Sequence, residues 1–322
     1  MFFLPALSPQ SMHIPDGFLS ILVSILFWIV AIVMIGIALR KTKQTLGERQ
    51  VPLMGVLAAA IFAGQMLNFS VAGGTSGHLL GAAIACILLG PWPAILVMTS
   101  VVSIQALLFQ DGGLLALGAN IFNMAIVGVL VANAIYTFLS KMFKSQTWGY
   151  LLAGFLAGWA SIFIASLACA LELALSGTSP ANLAVPAMGA IHALIGIGEG
   201  LITVGALSLV LAVRKDLLKV DEAKTPDNKG ILIGGGLLAL VLAVLSPLAS
   251  AHPDGLEWVA EQQGFLGSAQ GALYDLFPDY TLPGISNPAL TTIAAGVIGV
   301  IIVFVVSYLV GRTGRRNRPQ RK

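Results

Sequence analysis

Residues 12–39 read MHIPDGFLSILVSILFWIVAIVMIGIAL, and residues 40–43 read RKTK. A short polar strap, Met12-His13-Ile14-Pro15-Asp16-Gly17, runs into an uncharged apolar stretch and then into a basic cluster. A bilayer demands roughly 20 such residues of a spanning helix. The pattern recurs along the chain, at 18–39, 52–71, 78–90, 92–110, 114–139, 148–173, 188–213, 230–249 and 290–310. The chain is 57% hydrophobic and 10% charged, where a soluble domain carries about a quarter charged residues. The expected fold class is an all-α polytopic membrane protein, with a seven-helix substrate-binding unit followed by a two-helix C-terminal hairpin.

The third run is short, about 20 Å long at 1.5 Å per residue, so a full regular crossing is not expected there. Gly90-Pro91-Trp92-Pro93 punctuates the turn after it. The basic residues test the topology. Arg40, Lys41, Lys43 and Arg49 follow the first run, and Lys141 and Lys144 the fifth. Arg214, Lys215, Lys219, Lys224 and Lys229 follow the seventh, and Arg312, Arg315, Arg316, Arg318, Arg321 and Lys322 end the chain. These account for all 17 lysines and arginines. Nine alternating runs with the N-terminus outside put every cluster, and the C-terminus, in the cytoplasm, as the positive-inside rule prefers. The basic tail is therefore read as a topology signal, with no nucleic-acid partner.

Residues 1–11 lack the basic start of a signal peptide and hold two prolines, so they read as an extension or a misassigned start. Residues 12–213 form the first unit, 214–229 a polar cytoplasmic linker, and 230–322 a two-span unit with an outer loop and basic tail. Ala249-Ser250-Ala251 also fits a cleavage site ahead of that loop. Gly55, Ala59 and Ala63 make a small-residue face for packing within the chain, or for docking a second membrane subunit. Cys86 and Cys169 lie in spans without a CxxC pair and read as packing residues.

Met12-His13 carries the most specific chemistry. With a free amine, the Met12 nitrogen, the His13 amide and the His13 ring form a tridentate chelate, and His78 in the glycine-rich stretch 73–78 supplies a fourth nitrogen. Four nitrogens in a plane suit Ni(II) or Cu(II). An unperturbed amine titrates near pH 8, so capture is expected to weaken in acid. Pro15 excludes a helix at the strap. Asp16-Gly17 is expected to turn the chain and cap a helix starting near Phe18. Asp111, in Gln110-Asp111-Gly112-Gly113, is expected either to form a tight turn or to orient His78 or the strap. Asn120 and Asn123 are expected either to bond between helices or to support the metal ligands from behind, and Gln65 and Asn68 are amides suited to bonds between helices. His192 and Glu199 share one face of the seventh run, as functional groups or as a helix brace. Glu172 sits near the outer boundary with no assigned role. GxxxxGK[ST] and HExxH are both absent from the sequence, so no P-loop ATPase or zinc protease site of those types is written here.

MHIPDGFLS at 12–20, GGTSGHLLGA at 73–82, FQDGGLLALGANIFNMA at 109–125 and IHALIGIGEGLIT at 191–203 resemble the CbiM/NikM family. These are substrate-specific membrane subunits of energy-coupling-factor cobalt and nickel transporters. Residues 230–310, with HPDGLE at 252–257, are similar to the CbiN/NikN-like PDGLE component. The resemblance implies transported Ni2+ or Co2+ as substrate, cobalamin-related cobalt uptake among the uses, and no resident cofactor. It implies a coupling subunit of the CbiQ/NikQ kind, cytoplasmic ATPases of the CbiO/NikO kind, and a location in the cell membrane. It places the ligands on Met12, His13 and His78; the eleven-residue extension departs from the pattern, because left in place it removes the amine. A metal-binding sensor or scaffold, and a transporter subunit for a small organic ligand, are the alternatives. An enzyme is not expected.

Overall fold

The computed structural model describes residues 12–47, 50–143, 146–213, 228–271, 273–274 and 276–313. The extension 1–11, linker residues 214–227 and tail residues 314–322 lie outside the described residues.

The chain is a multi-pass bundle of helices, as expected. Helix α1 (Ile21–Thr45) follows the strap, and α2 (Gln50–Gln65) returns. A two-residue-per-strand hairpin, β1 (Phe69–Ser70) and β2 (Ser76–Gly77), leads to the short α3 (Ala82–Leu89). Next come α4 (Pro91–Ile104), with a π-helical end at Gln105–Phe109, and α5 (Leu117–Asn120), joined to α6 (Gly128–Met142) by a π-helical segment, Ile121–Val127. Helices α7 (Thr147–Leu175) and α8 (Ala181–Val213) complete the first unit. Helix α9 (Asn228–Leu245), a loop containing α10 (Gly255–Gln262), and α11 (Pro288–Thr313) form the second. Among the described residues, six helical stretches are long and apolar enough to cross a membrane, with Gln50–Gln65 and Leu232–Leu248 as shorter apolar helices.

Helix α3 is only eight residues long, about 12 Å, so the third run is a buried half-helix. Gly81 and Gly90, both at φ 80°, bound it, and Pro91 starts α4 at once. Non-helical backbone at membrane depth must find partners inside the protein. Here Leu80 N–H donates to Glu199 Oε2 at 2.7 Å, Gly81 N–H to Glu199 Oε1 at 3.0 Å, and Gln65 Nε2 to the Leu80 carbonyl at 2.9 Å. Polar side chains of α2 and α8 thus complete a backbone that has no helical partner of its own.

Two boundaries differ from the sequence expectation. Helix α8 begins at Ala181, with Pro186 inside it, seven residues before the expected start. The freed backbone group is tolerated in a span when neighbours and local adjustment compensate. Helix α1 begins at Ile21 rather than near Phe18, and its N-cap is Ser20, whose Oγ accepts from Val23 N at 3.4 Å. Asp16 therefore does not cap it.

Small residues set the packing. Gly196 and Gly200 of α8 sit on Trp159 and Phe155 of α7. Gly118 lies against the backbone of Trp28, so α1 and α5 approach closely. Gly55, on the small-residue face of α2, meets Phe304 of α11, and Gly299 of α11 meets Phe62 of α2. That face is used for packing within the chain at Gly55. The described basic ends of α1 (Arg40, Lys41, Lys43), α6 (Lys141) and α11 (Arg312) lie away from the end that holds the strap and the long loop.

Candidate metal centre

The strap is stitched to the loop between α4 and α5. Ile14 N–H donates to Asn120 Oδ1 at 3.0 Å, and Asn120 Nδ2 donates back to the Ile14 carbonyl at 3.0 Å. Gly113 N–H donates to the same carbonyl at 2.9 Å. The Asp16 carboxylate accepts from Leu114 N and Ala116 N, both at 3.0 Å, and so steadies the approach to α5. Gly112, at φ 98°, lets the loop press against His13 and Asn120, where a side chain would collide.

Asp111 faces the strap. Its Oδ1 accepts from Met12 N at 2.9 Å, and His13 Nδ1 donates to its backbone carbonyl at 3.1 Å. A carbonyl only accepts, so this contact puts the proton on Nδ1. Of the two roles open to Asp111, these bonds serve the strap. His78 also places Nδ1 on a main-chain carbonyl, that of Leu79 at 3.0 Å. At His78 this bond fixes the tautomer and aims the other ring nitrogen, a recurrent feature of metal-binding histidines. The His13 and His78 rings meet edge to face with centroids 5.5 Å apart.

Met12, His13 and His78 share a cavity of about 80 Å³ with Asn120, Asn123 and His192. His192 Nδ1 bonds the Met188 carbonyl at 2.8 Å. Glu199, fully buried, spends both carboxylate oxygens on the backbone just after His78. The two residues thus do separate work rather than bracing one another. Asn123 Nδ2 donates to Glu172 Oε2 at 2.8 Å, which gives Glu172 a structural partner the sequence reading did not assign. Among the described residues no three His, Cys, Asp or Glu side chains converge as a metal cage.

The loop of the second unit closes the mouth. Asp254, Gly255 and Leu256 line the cavity. Ser76 N donates to the Pro253 carbonyl at 2.8 Å and Ser76 Oγ to the His252 carbonyl at 2.8 Å. Gln270 N donates to the Asp16 carbonyl at 2.7 Å, and Phe277 N to the Leu108 carbonyl at 3.1 Å. Phe18 and Phe265 stack edge to face at 5.1 Å. Sequence reading missed these lining residues, although HPDGLE marked the segment.

The lid carries acids that burial makes reluctant to ionise. Asp254 is held well above the ordinary carboxyl range, Glu257 is raised to about 7, and Asp279 to about 6, burial being the largest cause in each. A carboxyl whose folded pKa exceeds its unfolded value favours the folded lid at low pH. That contribution is lost as pH rises from about 4 through 7. Backbone hydrogen exchange of residues 252–285, corrected for intrinsic rate, is expected to show stronger protection at pH 5 than at pH 8. Equal protection would contradict this linkage.

A buried strap, two imidazoles edge to face and a covering loop meet at one mouth of a helical membrane bundle, and the comparisons place the chain among transition-metal transport components. Residues 13–217 match the family described as cobalt uptake substrate-specific transmembrane region, and residues 229–316 match the PDGLE domain. The chain belongs to this cobalt-uptake family, carries a PDGLE domain, and is a membrane component of transition-metal transport rather than an enzyme. It is 38% identical over 317 residues to an Archaeoglobus fulgidus protein named provisionally as a fused nickel transport protein, NikMN, covering 94% of this chain and 99% of that one. It is 31% identical to the fused nickel transport protein NikMN of Rhodobacter capsulatus, over 85% of this chain and 84% of that one. A crystal structure of a truncated transition metal transporter matches at 34% identity with a TM-score of 0.56, covering 62% of this chain and 98% of that chain.

Proposed function

We propose that this chain is the substrate-binding transmembrane subunit of an ATP-driven energy-coupling-factor importer, with Ni2+ as the favoured cargo and Co2+ as the second. The observation that carries the reading is the strap folded into the mouth, with the His13 ring 5.5 Å from the His78 ring. The donor set is the Met12 amine, the His13 amide and ring, and the His78 ring. Amide and ring of one histidine close a chelate through Nδ1. In the structure that atom lies on the Asp111 carbonyl, so loading exchanges this hydrogen bond for the metal or turns the ring. The planar four-nitrogen set supports nickel. So does the match of nickel-named fused relatives to nearly the whole chain, where a cobalt transport protein of Sorangium cellulosum covers 64% of it.

ATP hydrolysis belongs to partners in this scheme: a transmembrane coupling subunit and cytoplasmic ATPases. The strap and lid face outward, and the basic helix ends and the C-terminus face the cytoplasm. An amine at Met12 requires that residues 1–11 be absent from the working protein. Mass spectrometry of the N-terminus, joined to isotopic Ni2+ uptake in cells that express the partners, tests this. Active protein is expected to begin at Met12. Full uptake by a chain that retains residues 1–11 would overturn the chelate.

A further inference from the structure

Asp111 joins the two units of the chain. Its Oδ1 holds the Met12 nitrogen at 2.9 Å, and its Oδ2 accepts from the Tyr280 hydroxyl, in the second unit's loop, at 2.7 Å. We propose that Tyr280 is a positioning residue for the metal site, fixing the Asp111 carboxylate that in turn fixes the strap nitrogen. This deepens the metal-site reading above and rests on it.

The local bonding makes the hydroxyl directional. Gln105 Nε2 donates to Tyr280 Oη at 3.2 Å, which occupies a lone pair and leaves the hydroxyl hydrogen for Asp111. Asp111 N–H donates to the Gln105 carbonyl at 3.1 Å, closing a ring of three residues. A carboxylate pinned at Oδ2 cannot rotate about Cβ–Cγ, so Oδ1 stays on Met12. A primary amine keeps two N–H groups when it coordinates a metal, so that contact survives loading. Tyr280 and Asp111 are 7% and 4% exposed, so water does not replace either partner.

The loop is built to deliver this ring. Tyr280 stacks on Phe109 with centroids 4.8 Å apart and planes 16° off parallel. Asp279 and Tyr280 adopt φ of 53° and 55°, a left-handed conformation that L residues adopt only when surroundings enforce it. The first unit alone therefore lacks one support of its own metal site. Whatever lifts the lid also frees Asp111 and loosens the strap, which ties metal release to the second unit.

The test uses the full membrane-inserted chain purified from cells, with Ni2+ alone as probe and a chromophoric chelator as competitor. Tyr280→Phe keeps the stacked ring and removes only the hydroxyl. It is expected to weaken Ni2+ binding 10- to 100-fold, as loss of an outer-shell partner does. Asp111→Asn is expected to weaken it too, and the double variant to lose little beyond the worse single variant, because both act through one bond. A simple packing role predicts additive losses, and additivity would overturn the inference. So would Tyr280→Phe binding as wild type. Should Tyr280→Phe melt early, Gln105→Leu removes the donor that aims the phenol and must weaken Ni2+ in the same direction; unchanged affinity there also overturns it. His78→Ala separates the two readings. If it binds Ni2+ like wild type, the metal site and this inference fall together. If it loses Ni2+ while Tyr280→Phe does not, the inference alone falls.

Discussion

His78→Ala is expected to abolish Ni2+ and Co2+ uptake while the chain still inserts in the membrane. The ring lines the mouth and supplies one of four proposed nitrogens. Structural zinc in zinc-finger peptides, also held by four ligands, binds with apparent free energies of about 10–16 kcal/mol, which sets the scale. One donor of four then accounts for about 2.5–4 kcal/mol, a loss of roughly 60- to 700-fold in affinity. Truncating the ring removes its bond to the Leu79 carbonyl but leaves the Glu199 and Gln65 bonds to Leu80 and Gly81, so the loop stays anchored. His13→Ala removes a donor in the same way. Isotopic uptake in cells, beside immunodetection of the inserted chain, measures both effects, and normal uptake by both variants would remove the proposed site.

Glu199→Leu is expected to damage both stability and metal affinity. The carboxylate is fully buried, and its two oxygens accept from Leu80 N and Gly81 N. Leucine leaves both N–H groups without their acceptor inside the bundle, at about 1–3 kcal/mol each. The loop that carries His78 then loses its anchor, and affinity is expected to fall about 10- to 100-fold. Glu199→Gln retains an acceptor oxygen and should fall between leucine and wild type. Thermal melting in detergent and Ni2+ competition give the ordering directly. A leucine variant that melts and binds as wild type would show that this carboxylate positions nothing.

Much of the architecture was legible because a bilayer leaves so few options. Long apolar runs became helices, and the short third run became α3, bounded by Gly81 and Gly90 at the positive φ that glycine permits. Met12, His13 and His78 stood out because a histidine beside a possible chain start, and another in a glycine loop, have few bland uses. What escaped was long-range. Asp16 looked like a local cap, but the N–H groups it serves are those of Leu114 and Ala116, nearly a hundred residues away. Helix α8 starts at Ala181, with Pro186 inside it, seven residues ahead of the apolar run that marked it in the sequence. Glu172 and Tyr280 carry no local pattern at all; their partners Asn123 and Asp111 come from distant elements. The π-helical segments beside the site likewise have no signature in apolar periodicity.

A bare strap nitrogen and two imidazoles are proposed to grip one divalent ion, and nickel K-edge X-ray absorption of the loaded protein reads that ligand shell. The prediction is a square-planar shell of nitrogen donors with the outer-sphere signature of two imidazoles, lost in His78→Ala. Sulfur in the first shell, or an octahedral cage of oxygen donors, would contradict it.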